Sequence, residues 1–191
     1  MSLVLVTAPA LEPVTLQEAK DDARVDGSDD DALIDALIVM SREQVENTTH
    51  RALITQTWDW AMDGFPRWFE LPKPPLQSIT SIKYIDDSGV EQTLAASSYR
   101  VDSASEPGRI TPAWGESWPS TRSVTGAVTV RFVAGYGTNP SDVPESLRLA
   151  LRRVLNHNYE HREPVLVGTS QSELPFGLRA ILGQYTVPVG F

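Results

Sequence analysis

The spacing of the apolar residues changes from a helical to a strand period near Ile54, and this change constrains the fold more than any other feature. Before Ile54, apolar residues recur every three to four positions, as on one face of a helix. After it, the side chains alternate from 54 to 62, so that Trp58 and Trp60 lie on the same face of a strand. The helical stripe consists of Leu33, Ile34, Leu37, Ile38 and Val45. Helices followed by strands and then by helices predict an α+β fold.

Two capping patterns predict a pair of helices within residues 1–50. Thr15 and Glu18 have the spacing of a capping box, in which each side chain accepts from the other residue's backbone amide, and this predicts a helix from about 16 to 24. Gly27 then breaks the helix, and the Ser-Asp-Asp-Asp run at 28–31 predicts a second cap and a helix to about residue 48. The polar side chains of the second helix are expected to face water: Asp35, Arg42, Glu43 and Glu46.

A β-rich insertion is predicted at about 54–133. We expect short antiparallel strands at 54–62, 68–71, 78–85, 90–94, 99–102, 109–111 and 127–133. The turn Asp86-Asp87-Ser88-Gly89 predicts a hairpin between the third and fourth of them. The stretch 112–126 is expected to be a loop carrying Trp114 and Trp118. Because no basic patch surrounds the tryptophans, we expect them to pack in the core or between subunits instead of stacking on bases.

The C-terminal quarter returns to a helical pattern. The residues Asp142-Val143-Pro144-Glu145 are expected to cap a helix at about 143–161, with the proline tolerated in the first turn. A loop from about 163 to 173 precedes a short C-terminal helix. We therefore predict a single domain, 1–191, of α+β class. Its helical body comprises the N-terminal helix pair (1–50) and the C-terminal helices and tail (142–191), and the β-rich insertion of short antiparallel strands lies between them.

Acidic residues are concentrated near the N-terminus. The chain has 16 Lys and Arg against 25 Asp and Glu, a net charge of −9, and residues 1–50 contain 11 acids and 3 bases. This balance argues against a protein that coats DNA, because nonspecific affinity comes from Lys and Arg that neutralise phosphates. The absence of Cys excludes disulfides, Cys-ligated zinc and a thiol nucleophile. No apolar run approaches the length of a membrane span and no basic segment precedes the apolar start, so we expect a soluble, unexported chain.

One short motif resembles a zinc site. His157, Glu160 and His161 match the pattern H-x-x-E-H, in which two histidines one helical turn apart bind zinc and the glutamate activates water. Only thirty residues remain to supply a third ligand, and the nearest acids, Glu163 and Glu173, lie in the expected loop. We interpret both histidines as cations near the negative end of the helix. No catalytic, metal-binding or cofactor-binding residue and no enzyme activity are expected, and a zinc-dependent hydrolase is an alternative.

The C-terminal segment is apolar, although chain ends are usually polar or frayed unless they are tied down. Pro188 cannot continue a helix, and we expect this segment to dock on its own body or on a partner. The residues of this docking hypothesis are Phe176, Leu178, Ile181, Leu182, Tyr185, Val187 and Phe191.

Five segments, in order along the chain, resemble the head-tail connector proteins (adaptor or head-completion proteins) of tailed phages, prophages and gene transfer agents. They are Val14-Thr15-Leu16-Gln17-Glu18-Ala19-Lys20 with the Asp-rich helix that follows, Leu71-Pro72-Lys73-Pro74-Pro75-Leu76-Gln77-Ser78-Ile79, Tyr84-Ile85-Asp86-Asp87-Ser88-Gly89, Gly135-Tyr136-Gly137 through Val143-Pro144-Glu145, and Tyr159-Glu160-His161-Arg162-Glu163. Each is a packing or turn motif, and the ordered set covers nearly the whole chain.

The resemblance implies a structural virion protein that is assembled in the cytoplasm of the bacterial host. Its copies would form a ring, commonly twelvefold, that joins the capsid portal to the stopper or tail-completion protein and extends the channel for genomic DNA, with no membrane partner. The segment 174–191 would dock on the portal. The alternatives are a tail-completion or neck protein at another level of the same machine, and an unrelated oligomeric binding module.

A ring also requires each subunit to carry two unlike complementary surfaces. The charged residues of the helices are therefore expected either to face the channel, where acids repel DNA, or to pair across the subunit boundary. The residues of this hypothesis are Asp29, Asp30, Asp31, Asp35, Arg148, Arg152 and Arg153.

Overall fold

A computed structural model describes residues 1–160 and 176–188. The described residues form four α-helices and eight strands in two antiparallel sheets, which confirms the α+β class. The chain divides into two compact units. The β unit comprises Met1–Ala10 and Thr55–Tyr136, and the helical unit comprises Leu11–Ile54 with the described residues of 137–190. The assignment of 1–191 as a single domain stays a prediction.

The helical unit contains the four helices. They are α1 (Leu16–Ala23), α2 (Asp31–Thr49), α3 (Glu145–Glu160) and α4 (Phe176–Tyr185). The predicted capping box begins α1: Thr15 Oγ1 accepts from the Glu18 amide at 3.2 Å, and Glu18 Oε2 accepts from the Thr15 amide at 2.9 Å. Helix α2 packs against α1, α3 and α4, and α3 contributes the buried stripe Leu147, Leu151, Val154 and Leu155. None of the helices within the described ranges is long and apolar enough to span a bilayer.

The side of α2 that faces the core differs from the prediction. Arg42 and Glu46 were expected to face water, but they are only 6% and 4% exposed, whereas Leu33 lies at the surface. The reason is a polar network: the Arg42 guanidinium donates to Glu46 at 2.9 Å and to Glu12 at 2.8 Å. Glu46 also accepts from the Leu53 amide at 2.8 Å, so segments on both sides of the helix cover this face.

Two predicted caps are wrong in detail. Asp30 occupies the N-cap position of α2 but makes no side-chain capping bond, and its carboxylate instead accepts from the Tyr159 hydroxyl at 2.6 Å. Asp142 does not cap α3, because its carboxylate accepts from the Asn139 amide at 2.8 Å in a short 3₁₀ turn, Pro140–Asp142. This carboxylate lies against Gly137, where a Cβ would clash, which explains a glycine at that position.

The β unit contains two antiparallel sheets. Its strands are β1 (Ser2–Thr7), β2 (Gln56–Met62), β3 (Phe69–Glu70), β4 (Leu76–Ile85), β5 (Glu91–Thr93), β6 (Tyr99–Asp102), β7 (Arg109–Pro112) and β8 (Val128–Ala134). One sheet has the order β1-β2-β8-β4-β5 and the other β3-β7-β6. The seven predicted strands are confirmed to within a few residues. Strand β1 was not predicted, because its continuous apolar run lacks alternation.

The core of the β unit lies on the face that carries the two indoles. Trp58 pairs with Phe132 and Trp60 with Val130, which confirms that alternate residues of β2 and β8 share one face. Trp60 contacts Phe69 of the second sheet, with ring centroids 5.8 Å apart. The opposite face is polar, since Asp59 on β2 accepts two bonds, of 2.8 and 2.7 Å, from Arg131 on β8.

Candidate assembly surfaces

Arg148, predicted to line the channel or a subunit boundary, makes its contacts within its own helical unit. The guanidinium donates to Glu145 at 2.7 Å, to the Pro13 carbonyl at 3.0 Å and to Glu18. Arg148 on α3 thereby binds the capping glutamate of α1, which orients the two helices.

Arg152 makes a second set of ion pairs on the same side of α3. Its guanidinium lies 3.1 Å from Asp22 on α1 and donates to Glu145 at 2.8 Å. Arg153, by contrast, is exposed. Two of the three predicted arginines therefore neutralise acids of their own subunit.

The four predicted acids also divide into two that bond within their own subunit and two that are exposed. Asp30 accepts from Tyr159, and Asp31 pairs with Lys20 at 2.6 Å, whereas Asp29 and Asp35 are exposed. The structure thus places Asp29, Asp35 and Arg153 at the surface of the unit. A channel or interface role for all seven residues stays a prediction.

The C-terminal segment packs largely on its own helical unit. Leu178, Leu182 and Val187 are buried, and the Val187 amide donates to the Thr49 carbonyl at 3.1 Å. Tyr185 and Ile181 are half-buried. Phe191 and the side chain of Phe176 lie outside the described residues. Three residues of the segment therefore dock on the subunit's own body, which was one of the two expected sites. Docking on a portal stays a prediction.

An apolar cleft of about 410 Å³ opens in the helical unit. Its apolar wall consists of Leu11, Val14, Leu16, Ile38, Val39 and Pro140, and Glu12, Thr15 and Asp35 add polar atoms. Sequence periodicity did not indicate this cleft, because it combines the segment before α1, one side of α2 and the turn before α3.

The loop between β7 and β8 presents a tryptophan. Trp114 is 97% exposed. It lies in a tight turn closed by the bond from the Glu116 amide to the Ala113 carbonyl at 3.0 Å, with Gly115 at φ +81°. Core packing is therefore the wrong prediction for Trp114, and packing between subunits stays a prediction. The Trp-Gly pair was the available sequence signal for the turn, since the third position of a type II turn favours glycine.

The structure describes two residues of the zinc-like motif. His157 lies in α3 and Glu160 is exposed at its end, while His161 lies outside the described residues. Within 1–160 and 176–188, no three His, Cys, Asp or Glu side chains are grouped so that they could hold a metal ion.

The network around Glu18 makes a prediction about pH. Burial opposes ionisation of Glu18, but the hydrogen bonds from Thr15 and Arg148 outweigh it and hold the pKa of this carboxyl below its ordinary value. The stability that the carboxylate contributes is therefore present above the pKa of the unfolded chain and is lost as the pH falls through the folded value. The E18Q variant should be less stable than the wild type at neutral pH, and the difference should shrink between about pH 5 and pH 3.

Urea unfolding at several pH values measures this difference. The control is E116Q, which alters an exposed loop glutamate and should follow the wild type throughout. A difference between E18Q and the wild type that stays constant with pH would contradict the assigned network.

Residues 13–101 match the family model described as Phage gp6-like head-tail connector protein. Similar solved chains include one from the neck of an empty gene transfer agent (GTA) particle computed with C6 symmetry, with a TM-score of 0.79 and 26% identity. Another comes from the virion of a native GTA particle (TM-score 0.78, 26% identity), and a third from the neck of a native GTA particle computed with C12 symmetry (0.72, 28%). Each similarity covers 99% of this chain and 97% of the other. No curated protein sequence matches the chain.

Proposed function

We propose that this chain is a structural protein of the head-tail connector type, whose copies form a ring in the neck of a virion or related particle. The observation that carries the proposal is the similarity over 99% of the chain to a protein from a GTA neck computed with C12 symmetry. Because this similarity includes both units, it supports an equivalent position for the whole subunit. The ring would join the portal to a stopper or tail-completion protein and extend the DNA channel.

The distribution of charge supports passage of DNA without tight binding. Asp29 and Asp35 are exposed on the helical unit, whereas Arg148 and Arg152 are neutralised by acids of their own subunit. Repeated around an axis, the exposed carboxylates would repel the phosphate backbone. The ring therefore lets DNA pass without binding it tightly.

The C-terminal segment supplies the contact with the portal in this proposal. Leu178, Leu182 and Val187 anchor the segment to the subunit, and the half-buried side chains of Ile181 and Tyr185 remain partly available to a partner. Anchored in this way, the segment presents a preformed surface, which lowers the entropy lost on binding.

Electron microscopy of the purified protein with and without its portal tests the proposal. We expect rings, with twelve subunits as the predicted number, on the portal end from which the channel continues. A matched sample of purified tails serves as the control. Retention on tails but not on portals would instead assign the chain to another level of the neck, and binding to neither would overturn the proposal.

A further inference from the structure

We propose that Trp114 of one subunit inserts into the apolar cleft of the helical unit of a neighbouring copy of this chain. The proposal rests on the ring of the proposed function, and it names one contact that joins the subunits. Trp114 is an exposed apolar side chain, and the cleft is an apolar opening on the helical unit.

The exposure of Trp114 does not result from a loose loop. The turn that carries it is closed by the Glu116 amide to Ala113 carbonyl bond, and the Ala113 amide donates to the Ser98 carbonyl, both at 3.0 Å. Because the backbone is already ordered, inserting the indole into a partner would cost little backbone entropy. Tryptophan is also among the residues most enriched where binding energy is concentrated.

Trp118, in the same loop, shows the contrast. Its ring stacks on Phe65 with centroids 4.9 Å apart, and its indole N–H donates to the Arg67 carbonyl at 3.3 Å. The fold thus packs one indole of the loop and leaves the other, Trp114, 97% exposed. This difference points to a partner for Trp114.

The cleft has the size and chemistry to take an indole. Its volume of about 410 Å³ lies within the range of binding pockets, and Leu11 and Val39 on its wall are exposed apolar side chains. The exposed carboxylate of Asp35 also lines the cleft and can accept a hydrogen bond from an indole N–H. Apolar walls with a few oxygen acceptors match a side chain that has an apolar body and one donor.

A second copy is the occupant that these features favour. Each chain carries both the protruding indole and the cleft, and a contact between two unlike surfaces of identical subunits can repeat around a ring. The similar chains come from GTA necks computed with C6 and C12 symmetry, which supports repeated contacts of this kind. A portal or stopper protein is the competing occupant.

Cysteine cross-linking is the direct test, because the chain has no native Cys. Rings are assembled on the portal from a mixture of E116C subunits, which keep the indole of Trp114 two residues away, and V39C subunits of different mass, and then oxidised. We expect a disulfide-linked pair that contains one subunit of each mass. The control pairs V39C with V124C, which alters an exposed apolar residue of the same loop, and should give no such pair.

The W114A variant supplies the second measurement. Because Trp114 makes so little contact in its own subunit, the variant should keep the wild-type melting temperature while ring assembly weakens by at least about tenfold. The V124A control should assemble normally.

The outcomes separate this inference from the proposed function. Normal rings from W114A together with no mixed disulfide would overturn the inference and leave the ring intact. If W114A forms normal rings that lose binding to the portal or stopper, Trp114 contacts that partner, and the inference is also overturned. If the wild type forms no rings with its portal, both proposals fail.

Discussion

Replacing Arg42 with methionine should lower the free energy of unfolding by about 3–5 kcal/mol, because it leaves the buried carboxylate of Glu46 and the half-buried carboxylate of Glu12 without their cation. Arg42 is 6% exposed and bonds to Glu12 and Glu46, of which Glu46 is 4% exposed. Methionine retains the apolar stem but supplies no positive charge. Urea unfolding followed by circular dichroism measures the loss.

Two further variants show whether the charges are the cause. R153M alters an exposed arginine and should change the free energy of unfolding by no more than about 0.5 kcal/mol. In the double variant R42M/E46Q, the amide oxygen of the glutamine can still accept from the Leu53 amide, so part of the stability should return. A loss below about 1 kcal/mol for R42M, the mean for point mutations, would contradict the network.

The R42M effect should also depend on pH. Burial raises the pKa of Glu12, and the Arg42 guanidinium opposes this rise. A carboxyl whose pKa is raised in the folded state contributes stability below its unfolded pKa, and the contribution is lost as the pH rises through the folded value. Removing Arg42 raises this pKa further, so R42M should be less destabilised in mild acid than at neutral pH. An equal loss at both would contradict this assignment.

Replacing Leu182 with alanine should destabilise the packing of α4 by about 2–5 kcal/mol, the usual cost of truncating a buried leucine. Leu182 is 2% exposed, in a helix that packs against α2 and α3. The loss should appear as faster amide hydrogen exchange within Phe176–Tyr185 and, to the extent that α4 unfolds with the rest of the unit, as lower global stability.

The matched control for Leu182 is Q184A, an exposed position of the same helix. It should leave the exchange rates and the stability unchanged. If L182A instead kept wild-type stability and lost only the contact with a portal, packing on the subunit's own body would not be the main use of Leu182.

Features that depend on neighbouring residues were predicted well. The capping box of Thr15 and Glu18 closes within four residues, and the alternation in β2 places Trp58 and Trp60 on one face whatever strand lies alongside. The family resemblance also came from short segments in order. Strand β1 escaped prediction because its partner, β2, lies some fifty residues further along the chain, and its own run of apolar residues carries no period.

The candidate assembly surfaces were less predictable, because they depend on distant partners. Arg148 was assigned correctly to a helix, but Glu18, which pairs with it, lies 130 positions earlier in the chain. Trp114 and Trp118 share one loop and one residue type, and contacts of Trp118 with Phe65, Phe69 and the Arg67 carbonyl distinguish the packed indole from the exposed one.

The sequence by itself determined where most helices and strands form, since caps, turns and alternation are satisfied by residues a few positions apart. Tertiary structure alone decided which charges are buried. Arg42 and Glu46 are buried because the segments before and after α2 place Glu12 and the Leu53 amide against them. Tertiary structure also decided where the apolar cleft opens. The physical reason is that burial is a property of all the segments that meet at a point, whereas secondary structure is largely a property of one.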